Sequence, residues 1–87
     1  MEQFINVGFG NRVASSRIIS FISYDSAPSK RMVQEKKEQK RCIDATQGRK
    51  TRTIVLLEND QIVLSAIQPE TIALRLNGKA EEKENGA

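Results

Sequence analysis

The apolar residues of this chain fall into short runs, and glycine, proline and acidic residues separate the runs. Such runs are typical of β-strands bounded by turns. Residues 3–7 predict a first strand, residues 8–11 a turn with two glycines, and residues 13–24 a second strand region. The glycines do not form a dinucleotide-binding fingerprint, because position 13 is valine where a third glycine is needed. We therefore interpret residues 8–11 as a plain turn.

A central hairpin is predicted in the second half of the chain. Residues 53–57 and 62–67 are almost continuously apolar, which is typical of strands buried on both faces. Asn59 and Asp60 lie between them and tolerate the positive φ of a tight turn. We expect one face of this hairpin to be buried within the subunit and the other against a neighbouring subunit.

Two segments carry the start signals of helices. An Asp-Ser pair precedes Pro28, which suits the first position of a helix that we expect to run to about Lys40. Most of that helix is charged, so most of its surface should be solvated. Pro69 predicts a second, short helix that stops at Gly78.

Residues 42–57 predict a second hairpin, in which two β-rich runs are joined by a turn. Gly48 is the natural tip, because a tight turn often needs a residue with positive φ. Arg49 and Lys50 follow it directly, and Arg52 comes just beyond. The turn should therefore present three cations on a rigid base, a pattern that suits a polyanion.

Together these elements predict an α+β fold, a small subunit rich in antiparallel strands with two helices. A chain of 87 residues has room for one domain, which we assign to residues 1–78. The acidic tail of residues 79–87 is expected to be disordered. Hydrophobic residues make up 38% of the chain and aromatic residues only 5%, so the core should be thin and self-association is expected.

The residue types exclude several kinds of catalytic site. The chain has no histidine and one cysteine, Cys42, which excludes His- and Cys-rich zinc sites and the usual nucleophilic triads. We expect no enzyme activity, no cofactor, no metal and no small-molecule substrate. Asp44 is interpreted as a turn or strand-end residue that pairs with Arg49 or Arg52. With a lone cysteine, no signal peptide and no membrane-length apolar run, a cytoplasmic location is expected.

Positive charge is concentrated in one third of the chain. The net charge is +3 and the isoelectric point about 9.3, but residues 30–52 hold nine basic and three acidic residues. Lys30 and Arg31, at the start of the first helix, join the candidate cations. Arg17 is either a solvated charge at a strand edge or a second cation beside the Arg49 turn. Such a distribution favours a nucleic-acid or anionic-membrane partner.

Five blocks of the sequence resemble the RemA family, the bacterial extracellular-matrix regulatory proteins. In chain order they are FINVGFGN, RIIS, SAPSKRM, DATQGRKTR and VLSAIQPETIALRL. Their order and separations resemble the family over nearly the whole predicted domain.

This resemblance implies a DNA-binding transcriptional regulator of biofilm and extracellular-matrix genes that is associated with the nucleoid. It implies a subunit related to the LytTR domain, without a helix-turn-helix, in a homo-oligomeric ring, an octamer, on which DNA wraps. The family's functional cations carry over to Arg17, Arg49, Lys50 and Arg52. Family members often have an aromatic residue where Gln47 stands and arginine where Lys50 stands. Lysine keeps the charge and lacks the planar fork with which arginine makes bidentate contacts.

We therefore expect Arg49, Lys50 and Arg52 to contact phosphates of double-stranded DNA, with assistance from Arg17, Lys30 and Arg31. One subunit would bind weakly, and a ring would multiply the contacts. The alternative is a scaffolding oligomer whose basic face docks an acidic protein or an anionic membrane. RNA is disfavoured because the chain has few aromatic residues to stack on unpaired bases. A membrane helix is disfavoured because the charged helix lacks a wide apolar face.

Overall fold

Six short strands and two α-helices make up residues 3–78, the part of the chain that the computed structural model describes. In chain order they are β1 (Phe4–Gly8), β2 (Asn11–Ala14), β3 (Ile18–Ser23), α1 (Ala27–Glu38), β4 (Cys42–Asp44), β5 (Thr53–Leu57), β6 (Ile62–Ser65) and α2 (Pro69–Leu76). Strands β1 and β2 form a hairpin, and the other four form one sheet in the order β3-β5-β6-β4. The α+β class with two helices is confirmed. The prediction of disorder in residues 79–87 lies outside the described residues.

Strands β5 and β6 form the centre of the four-stranded sheet, and they pair antiparallel as the sequence predicts. Their side chains alternate between two apolar clusters, with Ile54 and Ile62 in one and Val55 and Val63 in the other. Asp60, in the turn between the strands, has a positive φ of 66°. The central hairpin is therefore confirmed, and it is buried on both faces.

Both faces of this hairpin are covered by the chain itself. On one face β1 and α2 contribute Ile5, Val7 and Ile72 to the buried cluster. On the other face α1 contributes Val33, which is buried, and Met32, which packs against it. The expectation that a neighbouring subunit covers one face of the hairpin is therefore wrong, because the short apolar stripe of α1 already does so.

Two buried hydroxyl groups fix how the other elements lie on the sheet. Thr53 Oγ1 donates to Ile67 O at 2.6 Å, and Ser65 Oγ donates to Val7 O at 2.7 Å. Ser65 Oγ also accepts from Ile67 N at 3.1 Å. A buried polar group without a partner is destabilising by about 1–3 kcal/mol. These bonds therefore position β1 and the turn before α2 against the ends of β5 and β6.

Strand β4 pairs with β6, and in parallel, so the predicted hairpin over residues 42–57 is wrong. Strand β6 lies between β4 and β5, and residues 45–52 connect those two strands across the end of β6. Hairpin loops usually have about two to five residues, whereas a longer connection can cross a whole strand. The sheet is therefore mixed rather than purely antiparallel.

The second strand region, residues 13–24, is divided by a 3₁₀ turn at Ser15–Arg17. The strand before this turn pairs with β1 and the strand after it pairs with β5, so the chain changes sheets here. A register shift between Ile18 and Ser20 follows and leaves Ile19 68% exposed. The prediction of strand in this region is correct for both halves. The 3₁₀ turn between them arises because the two halves pair in different sheets.

Both helices begin near the predicted prolines. Ser26 caps α1, and its Oγ accepts from Ser29 N at 3.2 Å, so Pro28 occupies the second helical position and not the first. Helix α2 begins at Pro69, and Gly78 follows its C-cap with a positive φ of 71°, the conformation that commonly ends a helix. Within residues 3–78, neither helix combines the length and the hydrophobicity needed to cross a lipid bilayer.

Ser65→Ala should destabilise the fold by about 1–3 kcal/mol, because it leaves Val7 O and Ile67 N buried without this partner. Urea unfolding followed by circular dichroism measures the change. Ser20→Ala, on an exposed residue of β3, is the matched control and should change stability by less than about 0.5 kcal/mol. Equal effects of the two substitutions would contradict the role given to Ser65.

Candidate nucleic-acid interface

The basic loop, residues 45–52, connects β4 to β5 across the end of β6. Both of its ends are hydrogen-bonded to that strand. Ala45 N donates to Leu64 O at 3.0 Å, and Arg52 N donates to Ser65 O at 2.8 Å. Because β6 is fully buried, the loop has a fixed base although it is not the tip of a hairpin.

A tight turn forms the middle of the basic loop. Arg49 N donates to Thr46 O at 3.0 Å, and Gln47 and Gly48 both have positive φ, 55° and 79°. Two successive residues with positive φ are typical of a type I′ turn. Asp44 supports its start, since Asp44 Oδ1 accepts from Thr46 N at 2.9 Å and from Thr46 Oγ1 at 2.6 Å. The prediction of a turn at Gly48 is confirmed.

The hydrogen bonds from Thr46, first from its hydroxyl and then from its backbone amide, lower the pKa of the Asp44 carboxyl, and Lys37 adds a smaller attraction. The expected pairing of Asp44 with Arg49 or Arg52 is wrong, because Asp44 pairs with the turn itself. Asp44 therefore stabilises the turn of the basic loop, and Arg49 and Arg52 remain available to another anion.

Three predicted cations surround one depression on the basic loop. Arg49, Lys50 and Arg52 line it together with Ala66. Among residues 3–78, no carboxylate oxygen lies within 4.0 Å of these three side chains. Cations that lack an internal counter-ion produce a positive surface potential, which attracts anionic partners.

Lys50 and Arg52 also line a second pocket, the α1 pocket, which lies between the end of β3, the start of α1 and the end of the basic loop. Lys30 of α1 is on its wall, so this predicted cation joins the loop cations. Lys30 Nζ lies 5.7 Å from the centre of the Tyr24 ring, within the range of a cation–π contact. Arg31 is exposed on α1 and does not line this pocket.

Phe9 is a neighbour of the basic loop that the sequence analysis missed. It lies in the two-residue turn of the β1–β2 hairpin, where Phe9 and Gly10 have positive φ of 55° and 80°. The guanidinium carbon of Arg49 is 5.8 Å from the centre of the Phe9 ring. A large aromatic residue rarely adopts positive φ. A phenylalanine between two turn glycines is therefore a sequence signal that the ring makes a contact that offsets this strain.

Arg17 lies at the end of β3 that is remote from the basic loop. The adjacent residue of β5 at that end is Leu57, whereas Thr53, next to the loop, pairs with the other end of β3. Arg17 Nη1 is 3.4 Å from Glu58 Oε2, and both side chains are largely exposed. Within one chain, Arg17 is therefore a surface charge near an acid, and not a second cation beside Arg49.

Two cations outside the basic loop, Lys36 of α1 and Arg41 of the segment that follows it, form ion pairs with Asp60. Lys36 Nζ is 2.5 Å from Asp60 Oδ1, and Arg41 Nε is 4.0 Å from Asp60 Oδ2. The hydrogen bond from Lys36 is the main cause of the lowered pKa of Asp60. Burial raises the pKa of the Cys42 thiol, whose side chain packs against the buried cluster under α1.

The small mixed α+β subunit with its basic loop belongs to the RemA-like family, described as extracellular matrix regulatory protein A-like, and the family model matches residues 4–76. The chain is 51% identical over 83 residues to a protein of Carboxydothermus hydrogenoformans, covering 95% of each chain. It is 46% identical over 86 residues to a protein of Geobacillus kaustophilus, covering 99% of each. It is 52% identical over 84 residues to a protein of Bacillus cereus strain AH187, covering 97% of each. All three carry the provisional name of regulatory protein. The resemblance drawn from the sequence blocks is confirmed.

Thr46→Val should raise the pKa of Asp44 towards the ordinary carboxyl value, because it removes the hydroxyl donor and leaves the backbone donor. A pH titration of the carboxyl carbon by NMR measures this change. Since folding lowers this pKa, the Asp44 contribution to stability is complete above the ordinary carboxyl pKa of about 3.9 and is lost as the pH falls through the lowered value. The substitution should therefore reduce the loss of stability in acid.

The lowered pKa of Asp60 is the internal control in the same titration, because it depends on Lys36 and not on Thr46. An ordinary pKa for Asp44 in the unmodified protein would contradict the structure assigned to the start of the basic loop.

Proposed function

We propose that this protein is a DNA-binding regulator that holds duplex DNA on basic loops repeated around a homo-oligomer. The observation that carries the proposal is the convergence of Arg49, Lys50, Arg52 and Lys30 on one edge of the subunit. No carboxylate of residues 3–78 lies within 4.0 Å of them. Cations on a fixed base are suited to neutralise and position the phosphates of a polyanion.

The family description supports a regulatory role, and we propose transcription of extracellular-matrix or biofilm genes as its target, in the cytoplasm at the nucleoid. Lys50, on the basic loop, offers a phosphate a point charge and not a pair of parallel donors. The planar guanidinium of an arginine can make two parallel hydrogen bonds to guanine, and the ammonium group of Lys50 cannot. We therefore propose that sequence preference comes mainly from the ease of bending the DNA.

Several subunits are needed, because three or four phosphate contacts give weak, salt-sensitive binding. The outer strands of the sheet, β3 and β4, have unpaired edges within the described chain, and each exposes one large apolar side chain, Ile19 and Ile43 respectively. Open edges and exposed apolar residues favour association with another chain. We propose a closed ring of LytTR-related subunits, an octamer, which makes later contacts with the same DNA intramolecular.

Arg17 and Arg31 have assisting roles in this proposal. Arg31 is exposed beside Lys30 and extends the basic edge to an outer phosphate. Arg17 lies too far along β3 to reach the same phosphates as Arg49 of its own chain. We propose that it contacts a stretch of DNA that is held by the basic loop of another subunit. On binding DNA, the Arg17 guanidinium leaves its ion pair with Glu58 and contacts a phosphate instead.

Arg49→Ala combined with Arg52→Ala should abolish the gel shift of a promoter-length duplex at moderate salt and leave the native mass unchanged. At lower salt, the slope of log affinity against log salt should become shallower by about 0.9 for each phosphate that the variant no longer neutralises. Lys37→Gln combined with Lys40→Asn removes the same charge from exposed positions outside both basic pockets, and should change DNA affinity much less.

Equal DNA binding by the loop variant and the unmodified protein, with both intact as oligomers, would exclude the basic loop as the DNA contact. Vesicles of anionic lipid, tested with and without competing duplex, distinguish the scaffolding alternative. Tight vesicle binding that duplex does not displace would favour a membrane-docking scaffold over a DNA regulator.

Native mass spectrometry should give a closed oligomer of about eight times the subunit mass of 9.8 kDa. A duplex should add its mass to one complete oligomer. Ile19→Glu should lower the oligomer mass and leave the subunit folded, because this side chain is exposed on an edge strand. A stable monomer that does not bind duplex DNA at low salt would overturn the proposal.

A further inference from the structure

We propose that the α1 pocket is a binding site for a single phosphate group, with Lys30, Lys50 and Arg52 as its cationic ligands and the Tyr24 ring as its aromatic wall. As the contact for one phosphate of a DNA backbone, the site rests on the proposed function. As a pocket for a phosphate group on a small molecule, it stands independently.

The pocket combines donors that suit phosphate oxygens. It is lined by two lysines, one arginine, three hydroxyl-bearing residues and a glutamine, with Asp25 as the single acidic residue. No described carboxylate lies within 4.0 Å of Lys30, Lys50 or Arg52. Three cations around one small cavity repel each other unless an anion lies between them, and charge-assisted hydrogen bonds to phosphate are strong.

The size of the pocket suits one phosphate group and not a whole nucleotide. Its volume is about 170 Å³, whereas pockets that enclose a whole small molecule usually measure about 300–1,000 Å³. The remainder of the ligand, whether a DNA strand or the rest of a small molecule, would lie outside over the basic loop.

Hydrogen bonds to the sheet hold the backbone of one ligand, Arg52, in place. Arg52 is hydrogen-bonded on both sides, since its N donates to Ser65 O at 2.8 Å and its O accepts from Tyr24 N at 3.1 Å. The side chain of Thr53 points towards Ile67, so strand alternation directs Arg52 to the opposite face, where α1 lies. The backbone of Arg52 is therefore fixed against the end of β3 and against β6, although Arg52 belongs to the basic loop.

Tyr24 positions Lys30 in the pocket. The Lys30 ammonium lies over the Tyr24 ring at 5.7 Å, and Lys30 belongs to the first turn of α1, where its N donates to Ser26 O at 3.1 Å. The long lysine side chain would otherwise sample many conformations in solvent. Arg49 does not line this pocket. Its guanidinium contacts Phe9, and it meets Lys50 and Arg52 in the neighbouring depression.

NMR titration of the full-length protein with inorganic phosphate tests the proposal, with sodium chloride at equal ionic strength as the reference. Saturable shifts should be confined to the amides around Tyr24, Lys30 and residues 50–52. Lys30→Gln should weaken phosphate binding about tenfold, the effect of losing one hydrogen bond between charged groups. Lys37→Gln, an equal change of charge on the same helix, should not weaken it.

Tyr24→Leu should weaken phosphate binding and Tyr24→Phe should restore it, because phenylalanine keeps the ring that positions Lys30. Non-saturating shifts spread over the lysines, or equal effects of the Lys30 and Lys37 variants, would overturn the site. Thymidine monophosphate and a short duplex distinguish the sources of the phosphate group, and tighter binding of either one identifies the natural source.

Failure of this site and failure of the proposed function give different results. Saturable phosphate binding without duplex binding would retain the pocket and reject the DNA regulator. Duplex binding that is abolished in the Arg49 and Arg52 double variant, with no saturable phosphate binding, would retain the regulator and reject the pocket.

Discussion

Strand β6 is hydrogen-bonded along both edges, antiparallel to β5 and parallel to β4, and all four of its residues are buried. The ends of the basic loop are attached to its last two residues, Leu64 and Ser65. The Ser65 hydroxyl also binds Val7 O of β1. The position of β6 therefore determines where the basic loop and the β1–β2 hairpin lie relative to each other. A shift of β6 by one residue would turn its side chains to the opposite faces of the sheet and displace the attachment points of both segments.

The cations of the basic loop line one depression together, and some of them have further contacts beyond it. Arg49 lies on the hairpin side against Phe9, while Arg52 lies on the α1 side near Lys30. Each side has an aromatic ring next to a cation, Phe9 for Arg49 and Tyr24 for Lys30. In a chain with few aromatic residues, two rings used in this way restrict the conformations of long charged side chains that would otherwise be mobile in water.

This arrangement is consistent with a partner that carries regularly spaced phosphates. A single basic edge of this size provides too few contacts for firm binding at cellular salt, so repetition of the edge in a homo-oligomer would supply the affinity. The family to which the chain belongs is described as regulatory. The inward-facing apolar residues pack within the subunit, and the outer edges of β3 and β4 are unpaired within residues 3–78.

The sequence by itself determined the central hairpin, both helix starts, the turn at Gly48 and the cations of the basic loop, because each depends on neighbouring residues and their spacing. Only the tertiary structure decided that β4 pairs with β6, that Arg17 lies away from the loop, and that Phe9 contacts Arg49. These features join segments far apart in the chain, and local patterns of alternation are the same for a strand whichever strand it pairs with. Strand order is selected by the packing of the whole core, which no single segment encodes.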